Sequence, residues 1–198
     1  MRNPSKMEGR FIAEFHRGHN QLIMNKWDMQ HKERVIVLIQ GLPGAGKTTL
    51  ARMLLDLMPT ASWVNADFVR ENINRDLTFS LVHRIEHARR MSEIANLTLN
   101  YGANDYCIVD FVCPTVETRR AFLDAAEYPV YTVFMNTITA DESRFADTRK
   151  MYKAPTDYAF RVSGYKTIEE LKQVARTIHL ALLSRSPNLS MTKLRRSL

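Results

Sequence analysis

The sequence contains no run approaching the ~18 apolar residues that a membrane-crossing helix needs, so a soluble protein with no membrane partner is expected. Its first 32 residues mix charges with short apolar stretches and lack the apolar region of a secretory signal, so export is not expected. Cysteine is scarce. Cys107 and Cys113 have neither zinc-site nor thioredoxin-like spacing, and one pair makes no disulfide framework, which points to a reducing cytoplasm. The sequons at Asn96 and Asn188 then carry no meaning, since glycosylation needs a secreted chain. Internal repeats and low-complexity tracts are also missing, which excludes a solenoid and argues against long disordered regions.

What is present is an ordinary globular composition, 45% hydrophobic and 25% charged, in 198 residues, the size of one domain. The formal net charge of +7 is unevenly spread. Residues 1–34 carry seven Lys/Arg against four Asp/Glu, residues 184–198 carry four against none, and residues 35–183 carry 17 of each sign. The expected organisation is therefore an N-terminal arm (1–34), a neutral domain (35–183) and a basic tail (184–198). The charged ends read either as solubilising segments or as electrostatic arms.

Within the domain, apolar runs alternate with helical patterns. Strands are expected at Val35–Gln40, Ala61–Asn65, Tyr106–Val112, Val130–Asn136 and Tyr158–Ser163. Helices are expected at Lys47–Leu57, Leu81–Tyr101 and Thr167–Leu183. Such alternation implies a parallel sheet covered on both faces, with ligands bound beyond the carboxyl ends of its strands. The chemistry is thus expected at Gly41–Thr48, Asn65–Arg70 and Asp110–Pro114.

Gly41-Leu42-Pro43-Gly44-Ala45-Gly46-Lys47-Thr48 satisfies the Walker A pattern between a buried strand and a helix, and Thr49 follows it. Glycines let successive backbone N–H groups face a phosphate, and the helix N-terminus adds partial positive charge. Lys47 would bridge the β- and γ-phosphates of ATP, and Thr48 would offer a hydroxyl to Mg²⁺. The fold expected is a P-loop NTPase: α/β, a five-stranded parallel sheet with helices on both faces, and a mobile lid.

Asp67, just past the second strand, could accept the proton of an attacking hydroxyl, or could simply cap the helix that follows. Arg70, three residues on, could hold an anionic group. Ile108-Val109-Asp110 resembles a Walker B end, whose carboxylate could hold a water on Mg²⁺ or be a satisfied strand-end aspartate.

With these residues in view, the chain resembles the adenylylsulfate kinase family over roughly Val35 to His179. The likeness rests on Gly41–Thr49, on Asp67-Phe68-Val69-Arg70, on Asn74-Arg75-Asp76-Leu77-Thr78-Phe79-Ser80 and on the helix from Arg84 to Ala95. The resemblance implies transfer of the γ-phosphate of ATP to the 3′-hydroxyl of adenosine 5′-phosphosulfate, with Asp67 as base and a possible homodimer. It also implies that Arg70, Phe79 and Arg84 surround the acceptor, an aromatic ring stacking on adenine and guanidiniums pairing with oxyanions. By similarity, Lys153 and Tyr158 or Phe160 would complete that pocket.

The chain departs from the family in its pocket. It has Asn65-Ala66-Asp67 for the usual Asp-Gly-Asp, Asp110-Phe111 for Ser-Phe, and His87 for an asparagine. His87 and Phe111 are accordingly assigned to the acceptor pocket. Arg144, Arg149, Lys150 and Lys153 suggest a cationic lid, with Arg149 the candidate that acts on the transferring phosphoryl group; alternating acids leave a solvated helix face as the other explanation. His83-Arg84-Ile85-Glu86-His87 matches a short zinc-peptidase pattern, but belongs to the helix that carries the family likeness. Two further functions fit the same fold: a kinase of a nucleic-acid hydroxyl, which the basic ends would suit, and a module that binds ATP without transferring phosphate.

Overall fold

The computed structural model describes residues 34–138 and 145–184. The arm at 1–34, but for its last residue, the tail at 184–198, but for its first, and the lid cation Arg144 lie outside the described residues.

The first strand, β1 (Val35–Gly41), is buried along its whole length, as expected of a β-branched run covered on both faces. The chain continues through α1 (Lys47–Leu57), β2 (Ala61–Asn65), α2 (Ala66–Asn72) and α3 (Leu81–Tyr101). Then come β3 (Tyr106–Phe111), α4 (Val116–Ala125), β4 (Val130–Asn136), α5 (Ala146–Met151), β5 (Phe160–Ser163) and α6 (Ile168–Leu183). The five strands form one parallel sheet in the order β2-β3-β1-β4-β5.

The period-two alternation of β1 divides the core. Val35, Val37 and Ile39 face α1 and α6, packing with Leu50, Leu54, Leu171 and Ile178. Ile36 and Leu38 face the other way, toward Val69, Met91, Leu99 and Phe122 of α2, α3 and α4. Among the described residues no helix is long and apolar enough to cross a membrane.

The elements differ from expectation in particular places. β3 stops at Phe111 and β5 starts at Phe160, two residues later than Tyr158. Helix α2 is capped by Asn65, whose side chain accepts from the Phe68 N–H at 3.0 Å; Asp67 sits inside the first turn and is not the cap. Helix α4 was not expected at all. Its start is fixed by a capping box in which Thr115 and Thr118 exchange hydrogen bonds.

Candidate active site

The loop after β1 is shaped by close approach. A Cβ on Gly41 would lie 2.5 Å from the Met135 carbonyl oxygen of β4, so no other residue fits there. Gly46 caps α1 at φ 82°, in the left-handed region, and lets the helix begin directly under the loop. Thr137 ties the loop down by donating to the Ala45 carbonyl at 2.8 Å.

Lys47 is the first residue of α1, and its ammonium donates to the Leu42 carbonyl at 2.8 Å. It is only 9% exposed. Burial pulls its pKa down to about 8 against the opposing pull of Asp110 and Asp67. The next residue, Thr48, donates its hydroxyl to Asp110 Oδ2 at 2.7 Å. Asp110 is itself buried at the end of β3, and Oδ1 accepts from Trp63 Nε1 at 2.8 Å and Asn65 Nδ2 at 3.0 Å. Trp63 and Asn65 share one face of β2 by the strand's period, and parallel register sets Asn65 opposite Asp110.

The residues fit a magnesium ion. A hydroxyl and a carboxylate lie side by side at the loop, both hard oxygen donors. Among the described residues no cluster of three or more His, Cys, Asp or Glu side chains could hold a metal by itself. That suits an ion that completes its shell with phosphate oxygens and water.

Across the cleft, Arg70 of α2 and Arg84 of α3 flank the ring of Phe79, at 4.7 and 5.3 Å from its centroid. Backbone carbonyls hold both: Arg70 Nη1 donates to Thr78 O at 3.1 Å and Arg84 Nε to Phe79 O at 2.8 Å. Arg84 Nη2 also donates to Thr148 Oγ1 of α5 at 3.0 Å. Burial lowers the pKa of both guanidiniums, and for Arg70 the Arg84 charge adds to that shift. The ring of Phe79 is 65% exposed, a flat apolar platform open to the cleft.

Both sets of residues line one cavity of about 520 Å³. Pro43, Gly44, Gly46, Lys47, Thr48, Thr49 and Asp110 form one wall, and Asp67, Arg70, Phe79, Arg84, His87 and Phe111 line the rest with Val112, Cys113, Pro114, Phe145 and Thr148. Gly41, Leu42 and Ala45 shape the loop without lining the cavity.

Four expected site residues stand elsewhere. Lys153 is exposed outside the lining, its backbone N–H on Pro114 O and its carbonyl taking Arg119 Nη1, both at 2.8 Å. Tyr158 packs on Phe134 with ring centroids 5.8 Å apart, and Phe160 lies in the core. Arg149 is also absent from the lining, although its Nε and Nη1 are buried with no hydrogen-bond partner among the described residues. In the zinc-like pattern, Glu86 is paired with Arg89 and Arg90, while His83 Nδ1 takes the Thr78 N–H. Trp63, Phe145 and Thr148 were missed from sequence; of these only Trp63, two residues before Asn65 on the same strand, carried a legible signal.

The family model described as adenylylsulphate kinase matches residues 33–170, from just before β1 into α6. The chain belongs to the adenylylsulphate kinase family. Within that family it is 32% identical to adenylyl-sulfate kinase 2, chloroplastic, of Arabidopsis thaliana over 143 residues, covering 68% of this chain and 46% of the relative. It is 38% identical to the adenylyl-sulfate kinase of Chloroflexus aurantiacus over 96 residues, 46% of this chain and 50% of that one. The chain thus spans about half the length of these curated relatives. In fold, the family member resembles Mycobacterium tuberculosis APS kinase CysC, solved in complex with AMPPNP and APS, with a TM-score of 0.63 at 22% identity over 77% of this chain and 99% of the other.

Proposed function

We propose that this protein transfers the γ-phosphoryl group of ATP to the 3′-hydroxyl of adenosine 5′-phosphosulfate. The observation that carries the proposal is that one cavity is walled on one side by the phosphate loop and on the other by an exposed aromatic ring between two guanidiniums, with Asp67 on the same lining. Family membership narrows the acceptor to an adenylylsulfate-like nucleotide.

In this reading the loop amides and Lys47 hold the β- and γ-phosphates. Thr48 and Asp110 would hold Mg²⁺, and the ion would supply charge neutralisation on the transferring group. Phe79 stacks on the acceptor base, and Arg70 and Arg84 pair with its phosphate and sulfate oxygens. Asp67 accepts the proton of the 3′-hydroxyl as the new O–P bond forms and the bond to the β-phosphate oxygen breaks, with ADP leaving. Arg149 remains the candidate lid cation: it stands outside the cavity lining and would have to turn into the cavity to act, and its two buried guanidinium nitrogens without a partner among the described residues are free to change contacts. The two free, buried thiols suit the reducing cytoplasm in which such a reaction would run.

The test is incubation with γ-labelled ATP and Mg²⁺ in the presence of adenylylsulfate or of a 5′-hydroxyl oligonucleotide. Label on adenylylsulfate alone is expected. Label on the oligonucleotide would move the acceptor to nucleic acid, and label on neither would leave a nucleotide-binding module.

A further inference from the structure

His87 is a buried polar group on the acceptor wall, 4% exposed, its ring edge-on to Phe111 at 6.3 Å. Its Nδ1 lies 2.8 Å from Asn74 Nδ2. Asn74 is fully buried in the turn between α2 and α3, so no bulk water competes for its amide. The Asn74 oxygen accepts from Arg90 Nη1 at 3.3 Å. Arg90 is anchored in turn by Asp76, at 2.9 and 2.8 Å, and by Glu86 at 2.8 Å.

Donor and acceptor chemistry then fixes the ring. A guanidinium has only donors, so the Asn74 carbonyl oxygen must face Arg90 and the NH₂ must face His87. An NH₂ group only donates, so Nδ1 must accept and cannot carry a proton. We infer that Arg90 and Asn74 form a positioning relay that holds His87 as the neutral Nε2–H tautomer, giving the acceptor side of the cavity a fixed, uncharged hydrogen-bond donor. The imidazolium is excluded on the same ground, since its Nδ1–H would meet the Asn74 NH₂ donor to donor. Burial and the charges of Arg70, Arg90 and Arg84 act in the same direction, lowering the His87 pKa to about 3.

The consequence is a polarity for the ligand. The group that meets His87 must bring a lone pair, as an oxyanion oxygen or an aromatic ring nitrogen does, and a ligand amino group there would face an unpaired donor. This deepens the adenylylsulfate reading, on which only the naming of the ligand rests; the tautomer itself follows from the protein alone.

The full chain labelled with ¹⁵N-histidine tests the relay by long-range ¹H–¹⁵N correlation at pH 7, with His87 among the six histidines assigned from its disappearance in His87→Gln. A neutral ring protonated at Nε2 is expected. Asn74→Asp, which replaces the donor by an acceptor, should move a proton onto Nδ1 and raise KM for adenylylsulfate about tenfold or more, with KM for ATP within about twofold. A ring protonated at Nδ1 in the unsubstituted protein overturns the relay, as does an inverted ring in Asn74→Asp with acceptor KM unchanged. Should Asn74→Asp fail to fold, the spectrum of the unsubstituted protein decides alone. Absence of turnover with adenylylsulfate in that protein would count against the proposed acceptor, and the relay would still stand or fall on the ring spectrum.

Discussion

The two walls of the cavity are built on opposite plans. On the loop wall every charge already has a protein partner: Lys47 rests on a carbonyl, Thr48 on Asp110, and Asp110 on Trp63 and Asn65. On the acceptor wall two guanidiniums are held by carbonyls and a hydroxyl, with no carboxylate hydrogen-bonded to them among the described residues, beside a ring left mostly exposed. The first wall comes mainly from consecutive residues after β1, where a helix N-terminus supplies most of the geometry, with Asp110 added from the end of β3. The second is assembled from α2, the turn after it and α3. A ligand of the loop replaces contacts the protein makes with itself, whereas an anionic ligand of the acceptor wall meets guanidiniums that spend their hydrogen bonds among the described residues on neutral oxygens, with Asp67 and Asp147 acting on them only through charge.

If the plans differ, substitutions should separate them. The largest effect is expected for Lys47→Met, which should cut turnover by ~10³-fold or more. It should also raise the melting temperature of the ligand-free protein. The folded pKa of about 8 lies below the reference value of 10.5, so between these values the unfolded chain binds more protons and stability rises with pH. Below pH 8 the cost of the buried charge is present in full, about 3 kcal/mol. Thermal melts and turnover measured together check it, and a lower melting temperature would break the contrast between the walls.

Asp67→Asn should lower kcat by ~10²–10⁴-fold while nucleotide affinity stays within about twofold, read by steady-state kinetics and calorimetry. Phe79→Ala should raise acceptor KM about tenfold at constant ATP KM, because the ring serves only the second wall. An equal rise in both constants would mean that the walls are not independent.

The smallest effect concerns His87. Its folded pKa, about 3, lies below the ordinary 6.5, so the unfolded state takes up the proton first and stability falls as pH drops through this window. Between pH 6.5 and 5, before most carboxylates titrate, the slope should approach ~1.4 kcal/mol per pH unit, and His87→Gln should flatten it in denaturant titrations.

Much of this arrangement was legible in the sequence. The glycine spacing and the β-branched run before it led to the loop, and the alternation of strands and helices to the parallel sheet. Asp110 illustrates the boundary of such reading: its place at a strand end followed from Ile108-Val109-Asp110, but its three partners depend on the register between β2 and β3 and on the seat of Thr48. Asn74 shows the same limit more sharply. It opens one of the segments that carry the family likeness, but nothing local points to His87, and that contact exists only because the chain folds back between α2 and α3. Helix α4 escaped because Val116–Ala125 is rich in charge, with Phe122 its one fully buried apolar side chain, and because its cap pairs two threonines in place of the usual threonine and glutamate.

The indole of Trp63 has a use beyond support. Its N–H lies one hydrogen bond from Asp110 and two from the Thr48 hydroxyl, at the spot where a metal–nucleotide complex would draw on both oxygens. Any redistribution of charge on that carboxylate is felt by the ring, so intrinsic emission at this position can serve as an optical gauge of loop occupancy. The sequence holds only two tryptophans, so changing Trp27 to phenylalanine would leave that gauge with a single source.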